Sequence, residues 1–147
     1  MNLEIIASLL LLVPLVDHGI KELLQRRLGA GRIPLGVLGT VRLVKSPLWM
    51  MRPALQPGLI TMWVLWSVTA LALMLGSGWL PGSAVFVGLL LGGSLSHALE
   101  HSWRGHVRDY VCLRFWPAFN FADVAITLGS AGLLLEVVLR VMKGSVP

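Results

Sequence analysis

Residues 92–129 read GGSLSHALEHSWRGHVRDYVCLRFWPAFNFADVAITLG, a polar-studded stretch within an otherwise apolar chain of 147 residues. Upstream of its polar part, Leu80 to Leu99 is apolar, and Gly88, Gly92 and Gly93 give the small-residue spacing that lets helices in a bilayer approach closely. Downstream, Phe119 to Val141 is a second long run, with Gly129 and Gly132 inside it and Arg140 and Lys143 closing it. Two further runs lie toward the N-terminus. Leu59 to Leu75 is broken only by Thr61, Ser67 and Thr69, while Leu3 to Val16 reaches the roughly 20 residues needed to cross a bilayer only if helix continues through Asp17 and Lys21. The expected fold is therefore an all-α membrane protein, one embedded domain over 1–147, with four transmembrane helices at about 3–23, 58–77, 80–101 and 119–141.

Composition agrees. The chain is 56% hydrophobic and 13% charged, with a mean hydropathy of +0.79, whereas soluble domains carry about 25% charged residues. The net charge of +5 resides in loops between apolar runs, so membrane lipids, and no nucleic acid, are the expected partners. A lone Cys112 excludes an intramolecular disulfide framework. The opening Met1-Asn2-Leu3-Glu4 has no basic region and runs into Val16-Asp17, so the first span is expected to be retained rather than cleaved as a signal peptide. Residues 25–57 hold too many Gly and Pro for continuous helix, and the alternation from Val37 to Lys45 suggests a short strand or two in an extramembrane platform. Trp49, Met50 and Met51, between Lys45 and Arg52, suit the membrane interface, as do Trp79, Trp103 and Trp116 at span ends. Basic residues concentrate in the loops after spans one and three. By the positive-inside rule alone, those loops would be cytoplasmic.

An ionisable residue within a span costs a few kcal/mol or more and marks function by default. Asp123 stands one turn into the fourth helix, where its plain reading is a first-turn carboxylate stabilised by the helix dipole. Asp109 lies fourteen residues earlier on the same side, where alone it reads as a solvated charge beside Arg108. The polar connection between them is long enough to fold back and bring the two carboxylates together. Two carboxylates sharing a site do not both ionise easily, which yields one base to activate water and one acid to protonate a carbonyl. That is aspartic-protease chemistry at a membrane surface.

Gly92-Gly93, then Gly105-His106-Val107-Arg108-Asp109-Tyr110, then Phe119-Asn120-Phe121-Ala122-Asp123 with the following Gly129, together with Asp17-x-x-x-Lys21 at the end of span one, resemble the signal peptidase II family. The resemblance implies four helices, a small extracytoplasmic β-rich platform and an interfacial helix. It implies an aspartic endopeptidase of the bacterial cytoplasmic (inner) membrane, without cofactors, that cleaves a lipid-modified prolipoprotein before its modified cysteine near the extracytoplasmic face. Asp109 and Asp123 are then catalytic, Asn120 orients substrate or the pair, and Asp17 and Lys21 hold the first helix or the substrate-facing pocket. An interfacial i,i+4 ion pair is the plainer reading of those last two. The implied orientation opposes the positive-inside reading, and it is the one expected, because the motifs fix the fold's hand whereas loop charges only bias it.

The chain also departs from that pattern. Ser96-His97 and Glu100-His101 stand where the family usually has Gly-Asn and Asp-Arg, Ser46-Pro47-Leu48 falls near its Asn-x-Gly, and Tyr110 replaces Phe. His97 and His101 accordingly join the expected substrate-binding residues. The same residues spell H-x-x-E-H, in which His97 and His101 would bind zinc beside Glu100, with His106, Asp109 or Asp123 as third ligand. A zinc-dependent hydrolase and a noncatalytic relative that binds lipidated peptides are thus the alternatives. His18 reads as interfacial, and Glu136 as a partner for Arg140.

Overall fold

The computed structural model describes residues 2–46, 58–77 and 82–144. Among these residues four helices form: α1 (Asn2–Leu28), α2 (Leu59–Gly76), α3 (Ala84–Arg104) and α4 (Phe121–Met142). Three strands, β1 (Ile33–Pro34), β2 (Gly39–Ser46) and β3 (Val107–Leu113), make one antiparallel sheet in the order β1-β2-β3. By length and composition α1, α2 and α4 can cross a membrane. The 21-residue α3 is long enough, but Ser94, Ser96, His97, Glu100 and His101 make it too polar to qualify with them.

The polar helix packs between α1 and α4, with α2 against it as well. Adjacent glycines make the wedge possible, because neighbouring helical positions point to different partners. A Cβ on Gly92 would stand 2.6 Å from the Leu9 carbonyl oxygen of α1, and one on Gly93 would stand 2.6 Å from the Ala122 carbonyl oxygen of α4. The apolar core follows the same seam: Ile6, Ala70, Ala84, Val87 and Leu91 form one buried cluster, and Met62, Ala98 and Val107 join the helices to the sheet. Large apolar side chains such as Ile60 on α2 and Leu134 on α4 are exposed, which suits helices whose outer solvent is lipid rather than water.

Boundaries shift from the sequence expectation for local reasons. Helix α1 runs past residue 23 to Leu28, its dipole favoured by Glu4 in the first turn and by Arg26 and Arg27 in the last. Helix α4 starts at Phe121, not 119, because Phe119 bridges to Val111 and Asn120 caps the helix. The expected alternation begins at Gly39 rather than Val37, since residues 36–38 form a 3-10 turn. Strand β3 is new: the stretch read as a polar connection pairs with β2, Val44 opposite Asp109 and Ser46 opposite Val107, with a register shift between Val41 and Val44. Trp49 to Met51, the residues suited to the membrane interface, lie outside the described residues, as do Pro47, Leu48 and Trp79.

Candidate active site

The site is built on the N-terminus of α4, whose first backbone N–H groups have no partners within the helix. Three side chains take them up, one from β3, one from α1 and one from the capping residue of α4 itself. The Tyr110 hydroxyl accepts from Phe121 N at 3.0 Å, Asp17 Oδ1 accepts from Ala122 N at 3.3 Å, and Asn120 Oδ1 accepts from Asp123 N at 3.0 Å. Asp123 Oδ2 returns a capping-box contact to Asn120 N at 2.8 Å. The first-turn reading of Asp123 is therefore geometrically correct for one oxygen. Its other oxygen, Oδ1, faces His97 Nε2 at 3.5 Å.

Asn120 also ties this terminus to β3. Its Nδ2 donates to Asp109 Oδ1 at 2.6 Å and to the Arg108 carbonyl at 3.4 Å, while the bridge between Phe119 and Val111 fixes the chain on either side. Asn120 thus contacts both aspartates, donating to the Asp109 carboxylate from its side chain and to the Asp123 carboxylate from its backbone N–H. Asp109 and Asp123, with His97, Ser46 and Phe119, line a single cavity of about 320 Å³. Asp109 is buried rather than solvated. Burial pushes its carboxyl up from the ordinary range, the Ser46 hydroxyl works against this by hydrogen bonding, and the Asp123 charge adds to the rise. Tyr110 next to it is pushed up to about 12, by burial first and by the Asp17 charge second, so its hydroxyl remains protonated.

Behind the cavity, four fully or nearly buried charges alternate in sign. Lys21 Nζ lies 2.7 Å from both Asp17 Oδ2 and Glu100 Oε2, and Glu100 in turn receives Arg108 through its Nε and, at 3.1 Å, its backbone N–H. Ser96 donates to Asp17 at 2.6 Å. The Asp17 and Lys21 pair forms as spaced, but deep in the protein instead of at an interface. Neither residue lines the cavity, and neither does His101. His18 sits against the Trp103 ring, with centroids 6.0 Å apart. The zinc alternative loses its base, because Glu100 is engaged by Lys21 and Arg108. Among the described residues, no three His, Cys, Asp or Glu side chains gather to hold a metal.

The motifs that unite these groups are matched by the family model for signal peptidase (SPase) II, Peptidase_A8, over residues 9–139. The chain belongs to the signal peptidase II family. Similar proteins include the lipoprotein signal peptidase of Cupriavidus pinatubonensis, 38% identical over 94 residues that make up 55% of this chain and 53% of that protein. That of Syntrophomonas wolfei is 41% identical over 59 residues, 40% of each chain. The chain spans about half the length, or less, of these curated relatives. A solved chain described as a bacterial membrane enzyme has the same fold, with a TM-score of 0.75 at 15% identity, over 92% of this chain and 88% of that one. Signal peptidase II membership and three helices of crossing length make this a multi-pass membrane protein.

Sequence reasoning had paired Asp109 with Asp123, and the fold places both on one cavity. It did not find Arg108, Ser96 or the Tyr110 hydroxyl as members of the supporting network. Only the buried position of Glu100 on a helix needing a cation beside it could have pointed to Arg108.

Proposed function

We propose that this chain is an aspartic membrane endopeptidase that removes the signal peptide of lipid-modified prolipoproteins, cutting before the modified cysteine. The observation that carries the reading is the joining of Asp109 and Asp123 through Asn120 at one cavity. Asp123, with 37% of its side chain exposed, acts as base, and the buried Asp109 holds the proton. Asp123 takes a proton from water as the water oxygen bonds to the scissile carbonyl carbon, and Asp109 gives its proton to the carbonyl oxygen. When the tetrahedral intermediate collapses, the C–N bond breaks and Asp123 passes its proton to the leaving amine, while the new carboxyl forms and Asp109 regains a proton.

All four helices span in this reading, within one embedded domain. The polar half of α3 is tolerated in the bilayer because α1, α4 and the sheet cover it. The sheet and cavity lie at the extracytoplasmic face of a bacterial cytoplasmic membrane, and the lipid anchor of the substrate confines it to the same plane. In right-side-out spheroplasts, a membrane-impermeant thiol reagent should label Cys112 on β3, and labelling confined to inside-out vesicles refutes the orientation. The activity is tested by incubating purified protein with a diacylglyceryl-modified prolipoprotein. Wild type should cleave it, whereas Asp109→Asn and Asp123→Asn should each lose activity by about a thousandfold or more. Cleavage retained by both variants rules out the pair.

A further inference from the structure

We infer that the groove on the outer face of α4 beside Asp123, walled by Trp116, Phe119, Val124, Thr127 and Leu128, seats the thioether-linked glyceryl head of the substrate and the first methylenes of its acyl chains. The inference rests on the peptidase reading and deepens it, by giving lipid and peptide separate places. Bond lengths set the requirement. The nitrogen of the leaving amine is three bonds from the sulfur that carries the lipid, so the lipid departs from the site within roughly 3 to 4 Å of the bond being broken. An acyl site therefore has to open beside a reacting aspartate.

The groove meets that requirement. It shares Asp123, Trp116 and Phe119 with the cavity that holds Asp109, so the two aromatic side chains stand at the border and Asp123 is reached from both sides. Apolar grooves around Val64 on α2, around Trp66 between α2 and α3, and around Leu135 at the far end of α4 share no residue with that cavity. The walls also suit the ligand. The Thr127 hydroxyl donates to the Asp123 backbone carbonyl at 2.8 Å and is spent within the helix, while Val124 and Leu128 are 40% and 55% exposed on a helix of membrane-crossing length. Trp116 brings an apolar ring with one N–H donor, which matches an ester-linked acyl glycerol. At about 220 Å³ the groove is smaller than the roughly 300 to 1,000 Å³ that encloses a drug-sized ligand, so the rest of each chain stays in the bilayer. A chain passing from lipid into the groove gains no hydrophobic energy, since both are apolar. What the groove supplies is position, because holding the glyceryl head fixes the scissile nitrogen beside Asp123.

The test is kcat/KM on diacylglyceryl-modified prolipoprotein for two variants. Leu128→Trp fills this groove from a side chain that already faces outward, and Val64→Trp fills the groove on α2. Since a misplacement of about 1 Å costs about a hundredfold, Leu128→Trp should lower kcat/KM by about ten- to a hundredfold and Val64→Trp by less than about twofold. Equal effects of the two, or none from Leu128→Trp, overturn the inference. A second measurement needs no turnover. The same substrate, with a diazirine on the first methylenes of its acyl chains, is photocrosslinked to Asp109→Asn and the adducts are mapped by mass spectrometry. Adducts should concentrate on residues 124–128, whereas phosphatidylglycerol carrying the same diazirine should label the outward faces of α2 and α4 alike. Substrate adducts spread in that way, or concentrated on α2, refute the assignment. Loss of the peptidase reading would appear separately, as absence of cleavage by wild type.

Discussion

Replacing Lys21 with methionine keeps the length of the side chain and removes its charge, at a position wholly shielded between α1 and α3. The cost falls unevenly on the two carboxylates it serves. Glu100 keeps Arg108, through both the guanidinium and the backbone N–H. Among the described residues, Asp17 keeps only neutral donors, the Ser96 hydroxyl and the Ala122 N–H. Breaking a buried pair typically costs about 3 to 5 kcal/mol, and the remaining donors put this case near 3. At about 2 to 4 °C per kcal/mol for a protein of this size, the melting temperature in detergent micelles should fall by about 6 to 12 °C. Adding Asp17→Asn to Lys21→Met removes the stranded charge, so the double variant should recover more than half of the loss. A drop below about 2 °C for Lys21→Met, or a double variant less stable than both singles, would refute the view that this pair is held by charge compensation.

Other consequences follow from single contacts. Gly93→Ala brings a methyl group to 2.6 Å from the Ala122 carbonyl oxygen and 2.8 Å from Ile126. Separating α3 from α4 in this way should cost about 1 to 3 kcal/mol in a thermal melt and reduce cleavage together with it. Tyr110→Phe leaves the Phe121 N–H without its acceptor, for a loss of about 1 kcal/mol in the same melt. Asp109 has its titration raised by folding, so it binds its proton more tightly in the folded than in the unfolded chain. Its contribution is present at low pH and is lost as pH rises through the folded value. Asp109→Asn should therefore match or exceed wild type in thermal stability at pH 7 while being inactive, and the gap should close as pH falls below the ordinary carboxylate range.

Much of the fold was legible because hydrophobic run length reports directly on spans, and α1, α2 and α4 appear where apolar runs place them. Helix boundaries were less so, since capping by Asn120 and pairing of Phe119 are decided by neighbours distant in sequence. Strand β3 was hidden for a related reason. In Val107–Leu113 the arginine and the aspartate look like loop residues until Glu100 and Asn120 arrive to neutralise and hold them. The aspartate pair could be anticipated from motif spacing, whereas its partners could not. Ser96, Tyr110 and Arg108 are ordinary residues whose roles exist only once α1, α3 and β3 meet.

This explains how α3 can differ so much from the usual family residues and still sit at the centre of the fold. A polar helix in a bilayer is tolerable only if every buried charge finds its counterpart on another element. Glu100 does so twice, with Lys21 on α1 and Arg108 on β3, while Ser96 turns to Asp17 and His97 to Asn120 and Asp123. Substitutions along this helix are therefore not independent. Any residue at position 100 that lacks a carboxylate leaves Lys21 and Arg108 facing each other without an intervening negative charge. The reacting aspartates stand one layer beyond, so a fault in the chain of charges would reach them through β3 and through the Asp17 cap on α4.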